Sequence, residues 1–237
     1  EMYVARPPLF SNVITFDHYI DLIYNTSFMH NVWNSFVIAA ITTIICLAIG
    51  ILGSYAMTRL KYPGRSFFRN SIIISYLMPT AVLFVPMYVF VSSLGFYDNK
   101  YALLIIYPTF VVPYCCYMLI SYFKAIPYAL EEAALIDGCN RLQTLWYIIM
   151  PIALPGIAVV ATFAFTMAWN EYLYAMIMTT SNVQKTATVA ISGFKYADSA
   201  IWGRIMSASV VCSLPVTLLY IVAQSMLISG KYEGSVK

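Results

Sequence analysis

Five long stretches of this sequence carry no Asp, Glu, Lys or Arg, and this spacing of charge constrains the fold more than any other feature. The stretches are residues 22–58, 70–97, 101–123, 142–170 and 205–230. Each reaches or exceeds the ~20 residues that a helix, rising about 1.5 Å per residue, needs to cross about 30 Å of hydrocarbon. The sequence therefore predicts an all-α membrane protein, a polytopic bundle with five transmembrane helices.

The composition also places the chain in lipid. Hydrophobic residues make up 61% of the sequence and charged residues only 10%, too few to cover a folded surface in water. The formal net charge is only +3 and the basic residues are scattered among the loops, which argues against nucleic acid as a partner. The cysteines form no CxxC pair and indicate small apolar packing residues, with no metal site. They are Cys46, Cys115, Cys116, Cys139 and Cys212.

Lysine and arginine positions orient the predicted spans. The loop between the first and second spans carries basic residues and no acidic one, which is typical of a cytoplasmic loop. Alternation then places residues 124–141 and the tail 231–237 in the cytoplasm, and residues 182–198 outside. Residues 1–30 become an extracytoplasmic N-terminal segment, so we expect a further span that precedes residue 1. The basic residues of the first loop are Arg59, Lys61, Arg65 and Arg69.

Prolines occur inside several of the predicted spans. Each removes a backbone donor and crowds the preceding turn, so we expect kinked helices whose freed carbonyls contact neighbouring helices or water. Two explanations stay open: a moving, water-lined pathway, and the general frequency of proline in membrane helices. Gly50 and Ser54 form a small-xxx-small pair that permits close approach of another helix. The prolines are Pro79, Pro86, Pro108, Pro113 and Pro215.

Residues 126–155, between the third and fourth predicted spans, carry the signals of two further helices. Pro127 suits a first helical position and Gly138 supplies a left-handed C-cap, so a short helix of about three turns is predicted between them. Asn140, with Gln143 at the reciprocal position, is predicted to cap a second helix that leads into the fourth span.

The first of these helices is too short to cross a bilayer and too polar to lie within it. Glu131 and Glu132 lie near the positive end of its dipole, and Ala133 and Ala134 leave one side nearly bare. Such a side would fit closely against another protein, whereas an amphipathic helix resting on lipid headgroups would show the same features. The residues alone leave both interpretations open.

A longer pattern runs through this segment. Its fixed positions are Glu132-Ala133-Ala134, Gly138, Ile148 and Met150-Pro151. With these spacings the segment resembles the EAA loop of binding-protein-dependent ABC importers, Glu-Ala-Ala-x3-Gly-x9-Ile-x-Leu-Pro. The one departure is Met150, where the family usually has leucine, an exchange that conserves volume. The resemblance extends over nearly the whole chain, through Asn34-Ser35, residues 56–64, residues 168–171, Trp202-Gly203 and Gly230.

The resemblance implies a carbohydrate-uptake permease of the maltose type, the shorter of the two membrane subunits. Members have six spans in this subunit, the first of which would precede those predicted here, and residues 31–230 would form the transmembrane domain. The partners would be a second, related permease subunit, two ATP-binding subunits below the bacterial cytoplasmic membrane and an extracytoplasmic solute-binding protein. The chain has no GxxxxGK[ST] loop, so the partner ATPases would use ATP and Mg²⁺, while this chain would bind no cofactor and catalyse no reaction.

In this family the EAA helix is a cytoplasmic coupling helix that sits in a cleft of the ATPase. Closure of the ATPase dimer would move the helix as a lever and switch the kinked spans between inward-facing and outward-facing states. By this carry-over, the coupling residues would be Glu131, Glu132, Ala133, Ala134, Asp137 and Gly138.

Glu171 is the one acidic residue expected within a span or at its edge, and such carboxylates are functional candidates. With Trp169, Asn170 and Tyr172 it would offer aromatic faces and hydrogen-bonding groups to a sugar. The alternative is a position at the membrane interface, where Trp and Tyr gather whatever the substrate is. The outer loop, residues 181–200, is expected to contact the delivery protein.

Two other classes of membrane protein fit the sequence less well. A proton- or sodium-coupled secondary transporter normally needs several buried ionisable residues, and only Glu171 qualifies. An enzyme embedded in the membrane would need a zinc motif, a Ser/His/Asp set or paired buried carboxylates, which the sequence lacks. We therefore expect a permease subunit of an ATP-driven importer.

Overall fold

Helices dominate the part of the chain that the computed structural model describes, which is residues 15–196, 199–200 and 202–233. The helices are α1 (Asp17–Tyr24), α2 (Phe28–Arg59), α3 (Arg65–Leu77), α4 (Phe84–Ser93), α5 (Leu103–Ile106), α6 (Pro108–Ala125), α7 (Tyr128–Ile136), α8 (Arg141–Thr144), α9 (Met150–Trp169), α10 (Leu173–Met178), α11 (Ala187–Ser192) and α12 (Trp202–Glu233). Short 3-10 turns, Thr80–Leu83 and Lys100–Ala102, precede α4 and α5. A small antiparallel ribbon, Lys195–Tyr196 with Ser199–Ala200, precedes α12. Apart from this ribbon, the predicted all-α fold is confirmed.

Three of the predicted spans are continuous helices. They are α2, the helix Arg141–Trp169 that contains α8 and α9, and α12. The second and third predicted spans are bent pairs instead: Arg65–Leu77 and Thr80–Ser93 meet at 92°, and Lys100–Ile106 and Pro108–Ala125 meet at 42°. The described residues thus hold three continuous helices that are long enough to span, or five spans when each bent pair counts as one.

The sharper of the two bends lies at Pro79. α3 ends at Leu77, and Met78 is extended with a ψ of 132°, because the ring of a following proline disfavours the helical region. Pro108 likewise opens α6 after the second bend. Other prolines do not interrupt their helices, since α4, α6 and α12 continue through Pro86, Pro113 and Pro215. The predicted kinks are confirmed as breaks between helices at Pro79 and Pro108, whereas the helices with Pro86, Pro113 and Pro215 remain continuous.

The ends of the chain depart slightly from the predicted boundaries. α2 begins at Phe28, inside the predicted segment 1–30, and α12 continues to Glu233, past the predicted start of the tail. α1 packs against α12, and the Asp21 carboxylate forms an ion pair with Arg204. The rest of both predicted end segments, residues 1–14 and 234–237, lies outside the described residues.

The centre of the bundle is formed by α2, α6 and α9, each of which packs against the other two. Cys46 and Cys115 are fully buried there among apolar side chains, as predicted for small packing residues. We name the two ends of the bundle by their residues. The basic end comprises residues 57–66 and 123–146, and the loop end comprises residues 25–35, 95–100 and 179–187.

Gly50 allows α2 and α6 to approach closely. A Cβ atom added at Gly50 would lie 2.9 Å from the Cβ of Cys115, which is closer than real Cβ atoms come to other atoms. One turn further along, Ser54 Oγ donates to the carbonyl oxygen of Cys116 at 3.2 Å. The predicted small-xxx-small pair is therefore confirmed as a contact between two helices of this chain.

Gly50→Ala is expected to be less stable than Gly53→Ala by about 1–3 kcal/mol, the usual cost of overpacking. A Cβ added at Gly53 would meet Cys116 Sγ at 3.6 Å, an ordinary van der Waals contact, so this position has room. Both variants replace glycine by alanine in the same helix, so the gain in helix propensity cancels between them. Thermal unfolding of the two purified proteins in detergent measures the difference. Equal melting temperatures would show that the contact between α2 and α6 tolerates a methyl group.

Candidate functional site

α7 lies at the basic end, and Gly138 ends it. Gly138 has a φ of +92°, in the left-handed region that glycine adopts without steric cost. Its N–H donates to the Leu135 carbonyl at 3.2 Å, and the N–H of Cys139 donates to the Ala134 carbonyl at 3.0 Å. These two bonds form a Schellman motif, which satisfies carbonyls that the helix itself leaves free. The predicted glycine stop is confirmed.

The other local predictions hold with one shift in position. Pro127 is the N-cap of α7, with an extended ψ of 136°, and not its first helical residue as predicted. Asn140 and Gln143 form the predicted capping box: Gln143 N–H donates to Asn140 Oδ1 at 2.9 Å, and Asn140 N–H donates to Gln143 Oε1 at 2.8 Å. A π-helical turn, Leu145–Ile149, then joins α8 to α9. It directly precedes the turn with Pro151, whose ring disrupts regular α-helical bonding.

Arg59, the last residue of α2, is buried beneath α7. Its side chain has 0% exposure, and Nη2 donates to the carbonyl oxygens of Phe123 at 2.5 Å and Ile126 at 2.7 Å. Both oxygens lie at the C-terminal end of α6, where the helix dipole attracts a cation, and the Phe123 carbonyl also accepts from the Ile126 N–H at 3.2 Å. Arg59 therefore caps α6 from the inside and is not the exposed loop residue that the charge pattern predicts.

Arg59 also forms a buried ion pair with Glu131 of α7. Arg59 Nε lies 3.1 Å from Glu131 Oε1, and the Glu131 side chain is 2% exposed. Charge attraction holds the pair more than an aligned hydrogen bond does, because Glu131 Oε1 has no hydrogen-bond partner among the described residues. Arg141 Nη1 is 3.7 Å from the second carboxylate oxygen. Burial raises the pKa of Glu131, while Arg59 and then Arg141 partly oppose this rise.

Tyr128 makes a second link between α7 and α2. Its hydroxyl donates to the Thr58 carbonyl at 2.6 Å, and Arg59 Cζ lies 4.2 Å from the centroid of its ring, a cation–π contact. Together with the ion pair, these contacts attach the first turns of α7 to the last turn of α2 and, through Arg59, to the end of α6. A displacement of α7 would therefore be transmitted to both longer helices.

The other side of α7 is exposed. Glu132, Ala133 and Asp137 lie on it, and Ile136 at the end of the helix is 85% exposed. Gly138, just beyond, is exposed as well. An added Cβ at this glycine would meet nothing within 4 Å, so its role in the chain is conformational. The exposed side thus combines two carboxylates with apolar groups, a surface suited to a partner that offers an apolar groove and basic side chains.

Two of the six predicted coupling residues do not belong to that surface. Glu131 is 2% exposed and Ala134 is 5% exposed, so both face the chain itself. This corrects the prediction of a bare side formed by both alanines, because only Ala133 lies on the exposed side. Glu131 acts on α7 by anchoring it, a role that the adjacent Glu132 does not share.

Glu171, the predicted pathway carboxylate, is half-buried and bonded within the chain. Its carboxylate accepts hydrogen bonds from the Tyr107 hydroxyl at 3.0 Å, the Tyr174 N–H at 3.0 Å and the Ala175 N–H at 3.1 Å. The two backbone bonds satisfy free N–H groups at the start of α10, as a capping carboxylate does. The Thr188 hydroxyl donates to the Glu171 backbone carbonyl at 2.9 Å. The residue therefore has a structural role that explains its position without any substrate.

The neighbours of Glu171 differ in how accessible they are. Trp169 is 2% exposed, stacks on Phe165 at 5.6 Å between ring centroids and donates through Nε1 to the Cys212 carbonyl. Tyr172 is half-buried, and Asn170 is exposed. The structure thus does not bring the four predicted pathway residues to one open surface. In this chain Trp169 is a core residue.

Glu171→Gln is expected to lower the free energy of unfolding by about 1–3 kcal/mol. The amide nitrogen of glutamine would replace one acceptor oxygen and would face an N–H or O–H donor, leaving that donor unpaired. Thermal unfolding in detergent measures the loss, and Asn170→Ala, at an exposed neighbour, is the matched control. An unchanged melting temperature in Glu171→Gln would contradict the capping role.

The loop end also holds a polar network that the sequence does not predict. Asn34 Nδ2 donates to the carbonyls of Val183 at 2.8 Å and Lys185 at 3.0 Å, and Lys100 Nζ donates to Asn34 Oδ1 at 2.7 Å. Asn34 is fully buried near the start of α2, so these bonds hold the backbone of Val183 and Lys185 against the bundle. The signal in the sequence is an amide side chain, Asn34, within an apolar helix.

These features define a class of protein: a polytopic membrane protein in which a short helix, exposed on one side, is tied to the ends of longer helices. The family described as the binding-protein-dependent transport system inner membrane component matches residues 49–229. The chain belongs to this family.

Known proteins show how far the similarity reaches. The inner membrane ABC transporter permease protein YcjP of Escherichia coli (strain K12) is 37% identical over 240 residues, covering 100% of this chain and 85% of that protein. The trehalose/maltose transport system permease protein MalG of Thermococcus litoralis is 30% identical over 233 residues, covering 97% of this chain and 84% of that protein. A chain of a bacterial ABC transporter involved in the import of the acidic polysaccharide alginate matches in fold with a TM-score of 0.74 at 22% identity, covering 90% of this chain and 79% of that one.

Proposed function

We propose that this chain is a permease subunit of an ATP-driven importer that carries a carbohydrate across the bacterial inner membrane. Membership of the inner-membrane family supports the transport role. The name of the Thermococcus relative, a trehalose/maltose transport system permease, supports a sugar as the solute. A secondary transporter driven by protons or sodium finds no support among the relatives.

One observation carries the proposal: α7 is exposed on one side and anchored by a buried ion pair on the other. A helix that only rested on lipid headgroups would not need an ion pair to a buried arginine. Arg59 belongs to α2 and is hydrogen-bonded to the end of α6, so the ion pair connects α7 to both helices. Burying two charges is costly, and a firm link between elements is a use that explains the cost. α7 has the form of a lever that receives force from outside the chain.

The assembly that fits this surface has three further kinds of subunit. A second, related permease subunit would complete the translocation pathway, of which this chain forms half. Two ATP-binding subunits would bind at the basic end, and a solute-binding protein would deliver the solute at the loop end. The ATP-binding subunits would hold ATP and Mg²⁺, since this chain has no phosphate-binding loop.

The orientation follows from the basic residues. We place the basic end and the C-terminus in the cytoplasm, because Lys61 and Arg65 lie at that end, Arg69 follows near the start of α3, and no acidic residue occurs from position 59 to position 77. The loop end then faces the outside, where residues 179–187 are available to the solute-binding protein. The chain is a multi-pass protein of the inner membrane in this arrangement.

Coupling in this assembly works through α7. Glu132, Ala133 and Asp137 contact the ATP-binding subunit, and Gly138 gives the turn that ends the contact surface. When the ATP-binding subunits close, α7 moves, and Arg59 carries the displacement to α2 and α6. ATP thereby biases a two-state membrane bundle between inward-facing and outward-facing forms.

For the solute, we propose that Asn170 makes direct contact. Among the four predicted pathway residues it is the exposed one, and its amide both donates and accepts hydrogen bonds, as sugar hydroxyls require. Glu171 and Tyr172 would shape the pathway wall beside it, and Trp169 would support them from the core.

Uptake by the assembled transporter in proteoliposomes tests the proposal. Accumulation of a labelled oligosaccharide should require ATP on the side of the membrane where the ATP-binding subunits lie. It should persist when ionophores collapse the proton and sodium gradients. Uptake that survives ATP depletion and stops with the ionophore would assign the chain to a secondary transporter instead.

A further inference from the structure

A basic cavity lies at the basic end, beside α7 but separate from its exposed side. Its volume is about 390 Å³, and it opens between the end of α2 and the start of α3. The residues that line it are Lys61, Tyr62, Gly64, Arg65, Ser66 and Arg69. Three of the six are cations, and the loop and helix that carry them contain no acidic residue from position 59 to position 77.

The cations of this cavity are arranged for an anion. Arg65 is held in place by its own chain: Nη1 donates to the Leu60 carbonyl at 3.2 Å and Nη2 donates to the Thr58 carbonyl at 3.1 Å. Neither Lys61 nor Arg69 has an ion-pair partner within 4.0 Å among the described residues. Three positive charges around one cavity repel one another, and a bound anion would relieve this repulsion.

Apolar side chains border the cavity on the same helix. Phe67 is 71% exposed and Phe68 is 55% exposed, both in the first turn of α3 beside Arg65 and Arg69. Exposed aromatic rings beside the cavity would not contribute to the binding of a small soluble anion. Aromatic and basic groups together at the end of a span match the headgroup level of a membrane, with charge above and acyl chains below.

We infer that this cavity binds the phosphate headgroup of an anionic phospholipid. Arginine suits phosphate because its planar guanidinium offers paired N–H donors, and lysine adds a mobile charge. The Ser66 hydroxyl, at the cavity wall, supplies a further donor. The site depends only on the location of the chain in a membrane, so it stands whether or not α7 docks on an ATP-binding subunit.

The cavity is mechanically close to α7. The Thr58 carbonyl accepts one hydrogen bond from Arg65 and another from Tyr128 of α7. A phosphate drawn to Arg65 therefore acts on the same backbone group that holds α7.

Lipid retention by the full chain tests the inference. The purified protein would be equilibrated with dioleoyl phosphatidylglycerol or dioleoyl phosphatidylcholine, and the lipid that remains bound would be measured by native mass spectrometry. Wild-type protein should retain phosphatidylglycerol in preference to phosphatidylcholine. Arg69→Gln should weaken this retention about fivefold, the effect of removing one basic contact to an anionic lipid.

Two controls isolate the cavity. Lys124→Gln removes one exposed cation from the same end of the bundle but outside the cavity, and it should retain phosphatidylglycerol as the wild type does. Ser66→Trp fills the cavity without a change in charge, and it should lose retention as Arg69→Gln does. Equal retention in all variants would overturn the inference. So would displacement of the lipid by inorganic phosphate at matched concentration, because the cavity would then hold a soluble anion.

Discussion

Arg59→Ala is expected to abolish transport and to lower the free energy of unfolding by about 3–5 kcal/mol, the usual cost of removing one partner from a buried ion pair. Glu131, 2% exposed, would keep only Arg141, at 3.7 Å, as an ion-pair partner among the described residues. The substitution would also remove the Arg59 donor from the Phe123 and Ile126 carbonyls, and the Phe123 carbonyl would keep only the N–H of Ile126 as a partner. α7 would then be disconnected from the end of α6 and would keep only the Tyr128 hydrogen bond to Thr58 as its described side-chain link to α2.

The loss of stability should grow with pH. Burial already raises the pKa of Glu131 in the intact chain, and Arg59→Ala removes an interaction that lowers it. A carboxyl group whose folded pKa exceeds its unfolded value of about 4.3 binds more protons in the folded state, so stability falls as the pH rises from about 4.3 through the raised pKa. The Arg59→Ala variant should therefore lose less stability in mildly acidic buffer than in mildly alkaline buffer.

Arg141→Ala is the matched control for Arg59→Ala. Arg141 approaches the same carboxylate, yet its side chain is 52% exposed, so its loss should cost at most about 1 kcal/mol. Thermal unfolding at several pH values and uptake by the reconstituted transporter give both readouts. Wild-type transport by Arg59→Ala protein that reaches the membrane in normal amounts would contradict the anchoring role.

Glu132→Lys is expected to reduce transport by at least about tenfold while leaving the chain folded. Glu132 is exposed and has no ion pair within 4.0 Å among the described residues, so its reversal should change stability by no more than about 0.5 kcal/mol. Close charge pairs across an interface contribute about 1.5–7 kcal/mol in measured cases, and like charges repel. The loss should therefore appear in the contact with the ATP-binding subunit and not in the chain.

Three measurements separate these effects for Glu132→Lys. Melting temperature in detergent reports folding, co-purification reports assembly, and the ratio of solute transported to ATP hydrolysed reports coupling. Glu132→Gln, which removes the charge without reversing it, should fall between the wild type and Glu132→Lys. Lys124→Glu, a reversal at the same end of the bundle but outside α7, should transport normally. Normal coupling in Glu132→Lys would remove Glu132 from the contact surface.

Short-range signals predict the segment around α7 almost residue by residue. Gly138 and the pair Asn140 and Gln143 act on backbone groups within a few positions, so their effect is legible in the sequence. Such local signals do not predict the burial of Glu131. Glu131 and Glu132 are neighbours with the same side chain, and only Arg59, at the end of a distant helix, decides which of the two faces inward.

The membrane helices are predictable in length but not in direction. A charge-free window reports apolarity, so it includes both halves of a helix pair bent by 92° without revealing the bend. Proline alone does not locate helix breaks either, because α6 and α12 continue through Pro113 and Pro215. Whether a helix breaks depends on what its neighbours can pack against, which only the tertiary structure supplies.

The predicted pathway residues show that residue type alone does not establish a role. Trp169 and Glu171 have the chemistry that a sugar site uses, yet a stacked ring, a bond to Cys212 and three bonds to the carboxylate account for both within the chain. Residue type suggests what a side chain is able to do. Its hydrogen bonds reveal what it already does.

Photo-crosslinking from position 136 tests the central claim most directly. p-Benzoylphenylalanine in place of Ile136, the most exposed large apolar residue of α7, would report what lies against the helix in the assembled transporter in its native membrane. We predict a crosslink to the ATP-binding subunit whose yield changes with ATP, and none from the same probe at Met176, an exposed residue in α10. A probe at position 136 that reacts with phospholipid alone, with and without ATP, would contradict the claim that α7 couples this chain to the ATP-binding subunits.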